Sequence, residues 1–400
     1  MNGEQSLLLY LAAGCGGGAS VCRMTESPLP VALATTPRPL GSLMCDNGDC
    51  SRVGDMTTPQ LSPPPVNIAP AAGPVLNTTA PPRSPRSRGR RAGRRIARVA
   101  VLFAALLAVS VGANAVLAVS EGLTRSYGQL VTLPSGGTIN TTVSGTGEET
   151  FVVMPGYASA SPVLEFAPLV DDLDDQATVV VVEPFGYGYS DRQTEADRTV
   201  ENISTELHQT LTALGVHQPY TLVVHSIGAL YALDYVNRFP GEVRAVVSID
   251  GSVPIDEVAE GGASRWSRLW TTSGLTRWVS KLKPEMFVAA PADTYSQDSR
   301  RQMRRLALRN DSTPAVVEES HRMAANVEAV KRLSFPSELP VLTFVAQATM
   351  DVSPRWYPTH QEQLEGLVHS QLIVIDAGHY LHYHHSPELA DAVRVFLAAN

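Results

Sequence analysis

Short apolar runs and longer segments of helical period alternate along the C-terminal two thirds of the chain. Two segments that alternate polar with apolar residues predict a leading hairpin, and six compact runs after them each have the length of a buried strand. Helical segments lie between most of these runs, so the pattern predicts an α/β fold with a doubly wound, mostly parallel sheet. The hairpin covers residues 128–133 and 137–144; the runs cover 151–154, 177–182, 220–224, 243–249, 341–346 and 372–375; the helices cover 200–214, 227–238, 358–367 and 387–398.

One long segment, between the apolar runs at residues 243–249 and 341–346, interrupts this alternation. It has helical character without a strong strand pattern, which predicts an inserted helical cap at about residues 255–338. Three tryptophans lie in the cap at helical spacings, and we expect them to pack on the sheet domain. A membrane-facing or acyl-binding stripe is the alternative. The three are Trp266, Trp270 and Trp278.

The longest apolar run, residues 99–119, lies before the sheet and carries no charge. As a helix it would span about 31 Å, which is enough to cross a bilayer. Eight arginines precede it within residues 83–98, and Glu121 follows it. The positive-inside tendency therefore predicts a single-pass anchor at residues 96–120 with the C-terminal domain outside the cytoplasm. The alternative is a secretory signal peptide with Ala113-Asn114-Ala115 as its cleavage site, which requires a later start such as Met56.

The first 95 residues are rich in proline, serine, threonine, glycine and alanine, a composition that predicts a disordered tail. Residues 1–120 hold 11 arginines and 5 acidic residues, whereas the remainder has a net charge of −14. The arginines next to an apolar run favour a membrane flank over a nucleic-acid partner. All four cysteines precede that run, so the C-terminal domain needs no disulfide. Their spacings match no zinc pattern, which favours free thiols. They are Cys15, Cys22, Cys45 and Cys50.

A serine lies where a buried strand turns sharply into a helix, in the run His225-Ser226-Ile227-Gly228. This placement is that of a nucleophile elbow, in which the strained turn projects the hydroxyl above the sheet. Gly228 fits the small residue that such a turn requires on the helix side. On the strand side the pattern usually has a small residue, and Val224 departs from it.

Two other loops resemble the α/β-hydrolase family. Met154-Pro155-Gly156-Tyr157 is similar to its oxyanion loop, so Gly156 is expected to let the chain turn and the Tyr157 and Ile227 amides to donate to an oxyanion. The segment 183–191 resembles the glycine-containing segment after the next strand, which gives Gly186 and Gly188 a structural role.

A serine hydroxyl becomes a nucleophile when an imidazole takes its proton and a carboxylate orients the imidazole. His379 follows the last strand and is the expected base. Asp351 follows the strand before it and is the expected acid, because the family order is serine, acid, histidine. Asp250 and Asp376 are the rival acids, Asp250 at the end of an earlier strand and Asp376 three residues before the histidine.

Together these motifs resemble the α/β-hydrolase superfamily over about residues 128–397. The resemblance implies an eight-stranded sheet, a cap that shapes the substrate pocket, and no cofactor. A serine at residue 226 argues against the members that use an aspartate, which leaves carboxylesterase-like hydrolysis of a small ester or lipid-like substrate. The alternatives are acyl transfer with the same triad and a non-catalytic binding protein.

Three further histidines, His382, His384 and His385, follow the expected base. They lack a second group of ligands at metal spacing, so exposed imidazoles are expected there and no metal site.

Overall fold

The computed structural model describes residues 86–123, 126–254, 273–283, 287, 290–310 and 313–400. Its centre is an eight-stranded sheet with the strand order β1-β2-β4-β3-β5-β6-β7-β8. The first strand pairs with the second and the second pairs with β4, both in antiparallel fashion, and every other neighbouring pair is parallel. The predicted α/β fold class is therefore confirmed. The strands are β1 (Gln129–Thr132), β2 (Thr138–Ser144), β3 (Glu149–Met154), β4 (Ala177–Glu183), β5 (Tyr220–His225), β6 (Val243–Ile249), β7 (Val341–Ala346) and β8 (Ser370–Ile375).

Helices cover both faces of this sheet. Alternate residues of β4 enter two separate cores: Val180 and Val182 join one, Val179 and Val181 the other. Burial on both faces is why the strands appear in the sequence as continuous apolar runs. The described helices are α1 (Arg86–Leu123), α2 (Pro162–Glu165), α3 (Ala167–Leu173), α4 (Val200–Leu214), α5 (Gly228–Arg238), α6 (Leu275–Leu282), α7 (Gln297–Asn310), α8 (Pro314–Val330), α9 (Gln347–Val352), α10 (Trp356–Leu364) and α11 (Ser386–Ala399).

Local sequence signals fix the ends of the helices that flank the site. The Thr199 hydroxyl accepts a hydrogen bond from the Asn202 amide at the start of α4, and Gly215, with φ 64°, ends that helix. The Thr313 hydroxyl caps α8 in the same way, and Pro314 occupies its first position. The direct turn from β5 into α5 leaves Ser226 at the carboxyl edge of the sheet.

The long helix α1 begins earlier than the apolar run. Residues 86–95 were expected to belong to a disordered tail, but they are helical. Arginine and alanine are good helix formers, and extending an existing helix avoids the cost of a new nucleus. Within α1, Ala92–Leu117 is long and apolar enough to cross a membrane. The rest of the predicted tail, with its four cysteines, lies outside the described residues.

Three described helices, α6, α7 and α8, lie between β6 and β7, inside the predicted cap. Trp266 and Trp270 lie outside the described residues. Trp278 was expected to pack on the sheet domain, yet 62% of its surface is exposed. The reason is that α6 contacts α1 and α7 instead, and Ser280 is its one buried residue.

Candidate active site

Ser226 occupies a strained turn between β5 and α5. Its φ of 53° lies in the left-handed region, where a side chain costs roughly 1–2 kcal/mol. Hydrogen bonds hold the residue from both sides: its N–H donates to the Ile249 carbonyl at 3.3 Å, and the Ser252 N–H donates to its carbonyl at 2.8 Å. The side chain is partly exposed. The surrounding backbone therefore maintains the geometry expected of a nucleophile elbow.

Two glycines let the loop after β3 approach this turn. A Cβ at Gly156 would lie 2.9 Å from the Ser226 Cβ and 2.8 Å from His225 Nδ1. A Cβ at Gly228 would lie 2.9 Å from the Pro155 carbonyl oxygen. Both distances are too short for a real side chain, so the loop and the elbow can meet only where these positions are glycine.

The loop from Pro155 to Ser161, which we call the oxyanion loop, is held by hydrogen bonds at several points. The Ala158 N–H donates to the Tyr187 hydroxyl at 2.9 Å, and Ala158 itself has a φ of 55°. The Glu165 carboxylate accepts the Ala160 N–H at 3.0 Å, and the Tyr157 hydroxyl donates to the Val316 carbonyl on α8 at 3.2 Å. Residue 157 thus lies between the elbow and the cap.

The glycine-containing segment after β4 packs against the same loop. A Cβ at Gly188, where φ is 45°, would overlap the Glu183 carboxylate, and a Cβ at Gly186 would lie 2.8 Å from the Thr313 hydroxyl. Between these two glycines, Tyr187 is buried and its hydroxyl donates to Glu319 on α8 at 2.9 Å. The segment therefore connects the oxyanion loop to the cap.

His379 is in hydrogen-bond contact with Asp250. The distance between His379 Nδ1 and Asp250 Oδ2 is 2.6 Å, and the Asp250 carboxylate is completely buried while His379 remains 16% exposed. Because the carboxylate accepts, Nδ1 carries the proton in this arrangement. The neutral ring then presents Nε2 as an acceptor, which is the form that takes a proton from a serine hydroxyl.

Asp351, the expected acid, does not make this contact. It lies exposed on α9, where its Oδ1 accepts from the Gln347 side chain at 2.8 Å. The physical reason is that β7 passes directly into α9, and this helix carries residue 351 away from the strand end. The same segment instead serves Asp250, to which the Ala346 N–H and the Thr349 hydroxyl donate at 3.1 and 2.6 Å. Asp376, the other rival, is exposed.

Asp250 is held as an ionised group despite its burial. Burial by itself would raise the pKa of the carboxyl, but the hydrogen bonds that it accepts from His379, Thr349 and Ala346 outweigh burial, so the pKa lies below its usual value. The Trp356 indole N–H donates to Asp250 Oδ1 at 2.7 Å. Nothing in the sequence pattern identified Thr349 or Trp356 as partners, because they come from the two helices after β7.

Backbone strain collects at this site. Among the described residues, three that are not glycine have positive φ: Ala158, Ser226 and Asp250, the last at 42°. Ala158 lies in the oxyanion loop, Ser226 in the elbow, and Asp250 directly after β6. Such conformations persist only where the surrounding structure enforces them, and they concentrate at functional sites.

Two histidines next to His379 are buried. The pKa of His225 lies well below its usual value, mainly because the ring is buried and to a smaller extent because His379 and His382 are near it. Its ring is therefore neutral. Its Nε2 lies 3.1 Å from the His379 carbonyl oxygen and therefore donates to it. His382 was expected to be exposed, but the turn at Leu381–Tyr383 directs it inward, where it stacks on Phe166 at 4.1 Å. Burial lowers its pKa to about 3.

Comparison with known proteins identifies the family. A sequence model of the α/β-hydrolase fold family matches residues 149–386, more than half of the chain. The chain belongs to this family. The matched region contains the elbow, the oxyanion loop, Asp250 and His379.

Two curated relatives align with part of the chain. The chain is 30% identical to YbdG, an uncharacterised protein of Bacillus subtilis, over 29% of this chain and 35% of that protein. It is 28% identical to RutD of Escherichia coli, which is provisionally named a carbamate hydrolase, over 32% of this chain and 46% of that one. The alignments thus span less than half of either relative.

Two solved structures have the same fold at lower identity. An esterase from Thermogutta terrifontis superposes with a TM-score of 0.52 at 19% identity, covering 68% of this chain and 99% of that one. A Salmonella enterica protein, provisionally described as an acyltransferase, superposes with a TM-score of 0.53 at 15% identity, covering 68% of this chain and 95% of that one. At these identities the likeness concerns the fold alone.

Proposed function

We propose that this chain is a serine hydrolase that cleaves small carboxylic esters through an acyl-enzyme on Ser226. His379 is the base in this proposal and Asp250 the acid. The observation that carries it is the 2.6 Å hydrogen bond between His379 Nδ1 and the buried Asp250 carboxylate, at the sheet edge where Ser226 occupies its strained turn.

The proposed reaction begins with attack of Ser226 Oγ on the ester carbonyl carbon. His379 Nε2 takes the hydroxyl proton as the new C–O bond forms, and the carbonyl electron pair moves to oxygen. The Tyr157 and Ile227 amides donate to that oxyanion, each contributing roughly 10²–10³ in rate. Collapse breaks the bond to the leaving alcohol, which receives the proton from His379. Water then repeats these steps on the acyl-enzyme and releases the acid.

Asp250 supports this chemistry in two ways. Its hydrogen bond selects the tautomer of His379 that leaves Nε2 free to accept a proton. Its negative charge also stabilises the imidazolium that forms after proton transfer, and the lowered pKa of Asp250 keeps that charge in place.

Covalent labelling tests the proposal. A fluorophosphonate probe should label the protein and should not label Ser226→Ala, because only an activated serine reacts. Ser334→Ala, which removes an exposed hydroxyl elsewhere, is the matched control and should be labelled like the wild type. A folded protein that the probe fails to label would contradict the enzyme assignment and favour a binding role.

Product analysis distinguishes hydrolysis from acyl transfer. With p-nitrophenyl esters of rising chain length, hydrolysis releases free acid in proportion to nitrophenol. If added alcohols captured most of the acyl group at low concentration, acyl transfer would replace hydrolysis as the reaction.

We also propose that α1 anchors the protein in a membrane, with residues 99–119 as the span and the catalytic domain outside the cytoplasm. The length and composition of α1 and the arginines before the apolar run support this arrangement. Protease added to intact cells should digest the catalytic domain. Protection of that domain would contradict the topology, and its release into the medium would indicate signal cleavage.

A further inference from the structure

Helix α6 of the cap presents an apolar stripe to the outside. Leu275, Trp278 and Leu282 are 42%, 62% and 82% exposed. Their spacings of three and four residues place them on one face of the helix. Three large, exposed apolar side chains on one face of a short helix form a patch of the kind that binds an apolar partner.

The start of α6 lies directly against the proposed membrane span. The Ser110 hydroxyl donates to the Ser273 carbonyl at 2.6 Å, and Arg277 Nε donates to the Asn114 side chain at 2.6 Å. Gly274 lies so close to α1 that a Cβ there would be 3.1 Å from the Ser110 hydroxyl. Asn114 and Ser110 precede the end of the apolar run by about 8 and 14 Å along the helix axis. These contacts therefore extend from the depth that the apolar face of an interfacial helix reaches, about 5–10 Å, to a few ångströms deeper.

Basic residues accompany the apolar stripe. Together α6 and α7 carry seven basic residues and one acidic residue, although the chain beyond residue 120 is acidic overall. Exposed members include Lys281, whose ammonium lies 5.2 Å from the centre of the Trp278 ring, and Arg301 and Arg305 on α7.

Helix α7 also lies near the point where the chain leaves α1. Its Gln302 side chain donates to the Ser126 hydroxyl, three residues after the end of α1 at Leu123. Helix α6 is therefore next to α1, and α7, which contacts α6, is next to the residues that follow α1.

We propose that α6 and α7 dock on an anionic bilayer, the same bilayer that α1 crosses, with the α6 stripe inserted at the interface and the basic residues against lipid phosphates. This inference rests on the proposed anchoring by α1. An apolar face at a depth of 5–10 Å together with flanking cations is the arrangement by which interfacial helices bind membranes. Docking places the cap of the active site at the bilayer surface, where the substrates available to it are esters with an apolar chain.

The test uses the full chain in lipid nanodiscs, with the four native cysteines replaced by serine. One new cysteine, Leu282→Cys, carries an environment-sensitive nitrobenzoxadiazole label. In discs containing phosphatidylglycerol, the emission of this label should be blue-shifted, and lipids that are spin-labelled near the headgroup should quench it. Its quenching constant with aqueous iodide should be severalfold smaller than that of a label at Val395→Cys. Val395 is the matched control because it is 72% exposed on α11.

A third label separates this proposal from the anchor on which it rests. Val109 is 70% exposed on α1, so Val109→Cys should be quenched by lipids spin-labelled in the acyl chain. A label at Leu282 that behaves like the one at Val395, while Val109 lies in lipid, overturns docking alone. A label at Val109 that is open to iodide overturns the anchor as well. Fluorophosphonate labelling of each variant at Ser226 verifies that the catalytic domain is folded.

Two variants test the chemistry of the contact with the Leu282 label in place. Trp278→Ser should move the label toward water and raise its iodide quenching severalfold. Lys283, directly after the end of α6, is also exposed. Replacing Lys281, Lys283, Arg301 and Arg305 by glutamine should abolish the difference between discs with phosphatidylglycerol and discs of phosphatidylcholine alone. Equal protection of the label in both lipids with the four charges present would overturn the role of anionic headgroups.

Discussion

Two buried carboxyl groups, one directly after β6 and one at the end of α2, have pKa values shifted in opposite directions. Asp250, on the side of the base, is completely buried and has a lowered pKa. Glu165, at the end of α2 and hydrogen-bonded to the oxyanion loop, is 7% exposed, and burial raises its pKa to about 7. Burial alone therefore does not decide whether a carboxyl group at this site keeps its charge.

The donors around each group account for the difference. Asp250 faces His379, a ring that can itself become positive. Glu165 accepts two neutral donors, the Ala160 and Ser161 amides at 3.0 and 3.4 Å, and the nearby Glu183 adds a like charge. The base side thus holds a charge that proton transfer can use, whereas the loop side uses its carboxyl group to fix the backbone.

Removing the charge on the base side should have the largest effect. Asp250→Asn keeps the shape of the side chain, but its amide can donate to His379 and favour the unproductive tautomer. We expect kcat/KM for a p-nitrophenyl ester to fall by about 10⁴. The fluorophosphonate labelling rate should fall with it, because both depend on the activation of Ser226.

Asp351→Asn is the matched control for that substitution. Its carboxylate is exposed and bonded to Gln347, so kcat/KM should stay within about twofold of the wild type. If the two variants behaved in the opposite way, Asp351 would be the acid and the comparison between the two buried groups would lose its basis.

The fold was predictable because the central strands are buried on both faces and the two leading strands alternate polar with apolar residues. Six strands appear in the sequence as apolar runs and two as alternating segments, and their positions differ from the observed strands by a few residues at most. Helices α2 and α3 were not predicted because they are only four and seven residues long, too short for a helical period to be recognised.

Within the candidate site, motifs indicated Ser226 and His379, but the carboxylate that contacts His379 is Asp250, one strand before the expected Asp351. Asp250 and Asp351 both follow strands, and no local signal reveals that β7 passes into a helix that carries residue 351 outward. The Ile249-Asp250-Gly251 run did indicate Asp250 as a rival. The donors Thr349 and Tyr187 depend on how distant elements pack, which a single sequence does not encode locally.

On the loop side, Glu165 should impose a pH dependence on stability. Because its pKa in the folded protein is raised from 4.5 to about 7, the folded state binds this proton more tightly than the unfolded state. The stabilisation is complete below pH 4.5 and is lost as the pH rises through about 7. The loss in unfolding free energy amounts to about 3 kcal/mol.

Glu165→Gln stays neutral and should not show this loss. The test is the unfolding free energy measured in urea at about pH 5 and about pH 8. Between these pH values the unfolding free energy of the wild type should decrease by roughly 2–3 kcal/mol more than that of the variant. Glu362→Gln, at an exposed position on α10, should retain the wild-type dependence. An identical dependence in the wild type and Glu165→Gln would mean that Glu165 is ionised in the fold like Asp250.

A pair of tyrosines tests whether the loop side acts through geometry. Tyr187 and Tyr231 both donate to Glu319, at 2.9 and 2.6 Å, but only the Tyr187 hydroxyl also accepts the Ala158 N–H of the oxyanion loop. Tyr187→Phe should therefore lower kcat about tenfold, or about 1.4 kcal/mol, with little change in KM, because the loop amides donate mainly to the transition state. Tyr231→Phe should lower stability to a similar extent and leave kcat nearly unchanged. Equal kcat values for the two variants would show that the hydrogen bond to Ala158 does not position the oxyanion loop.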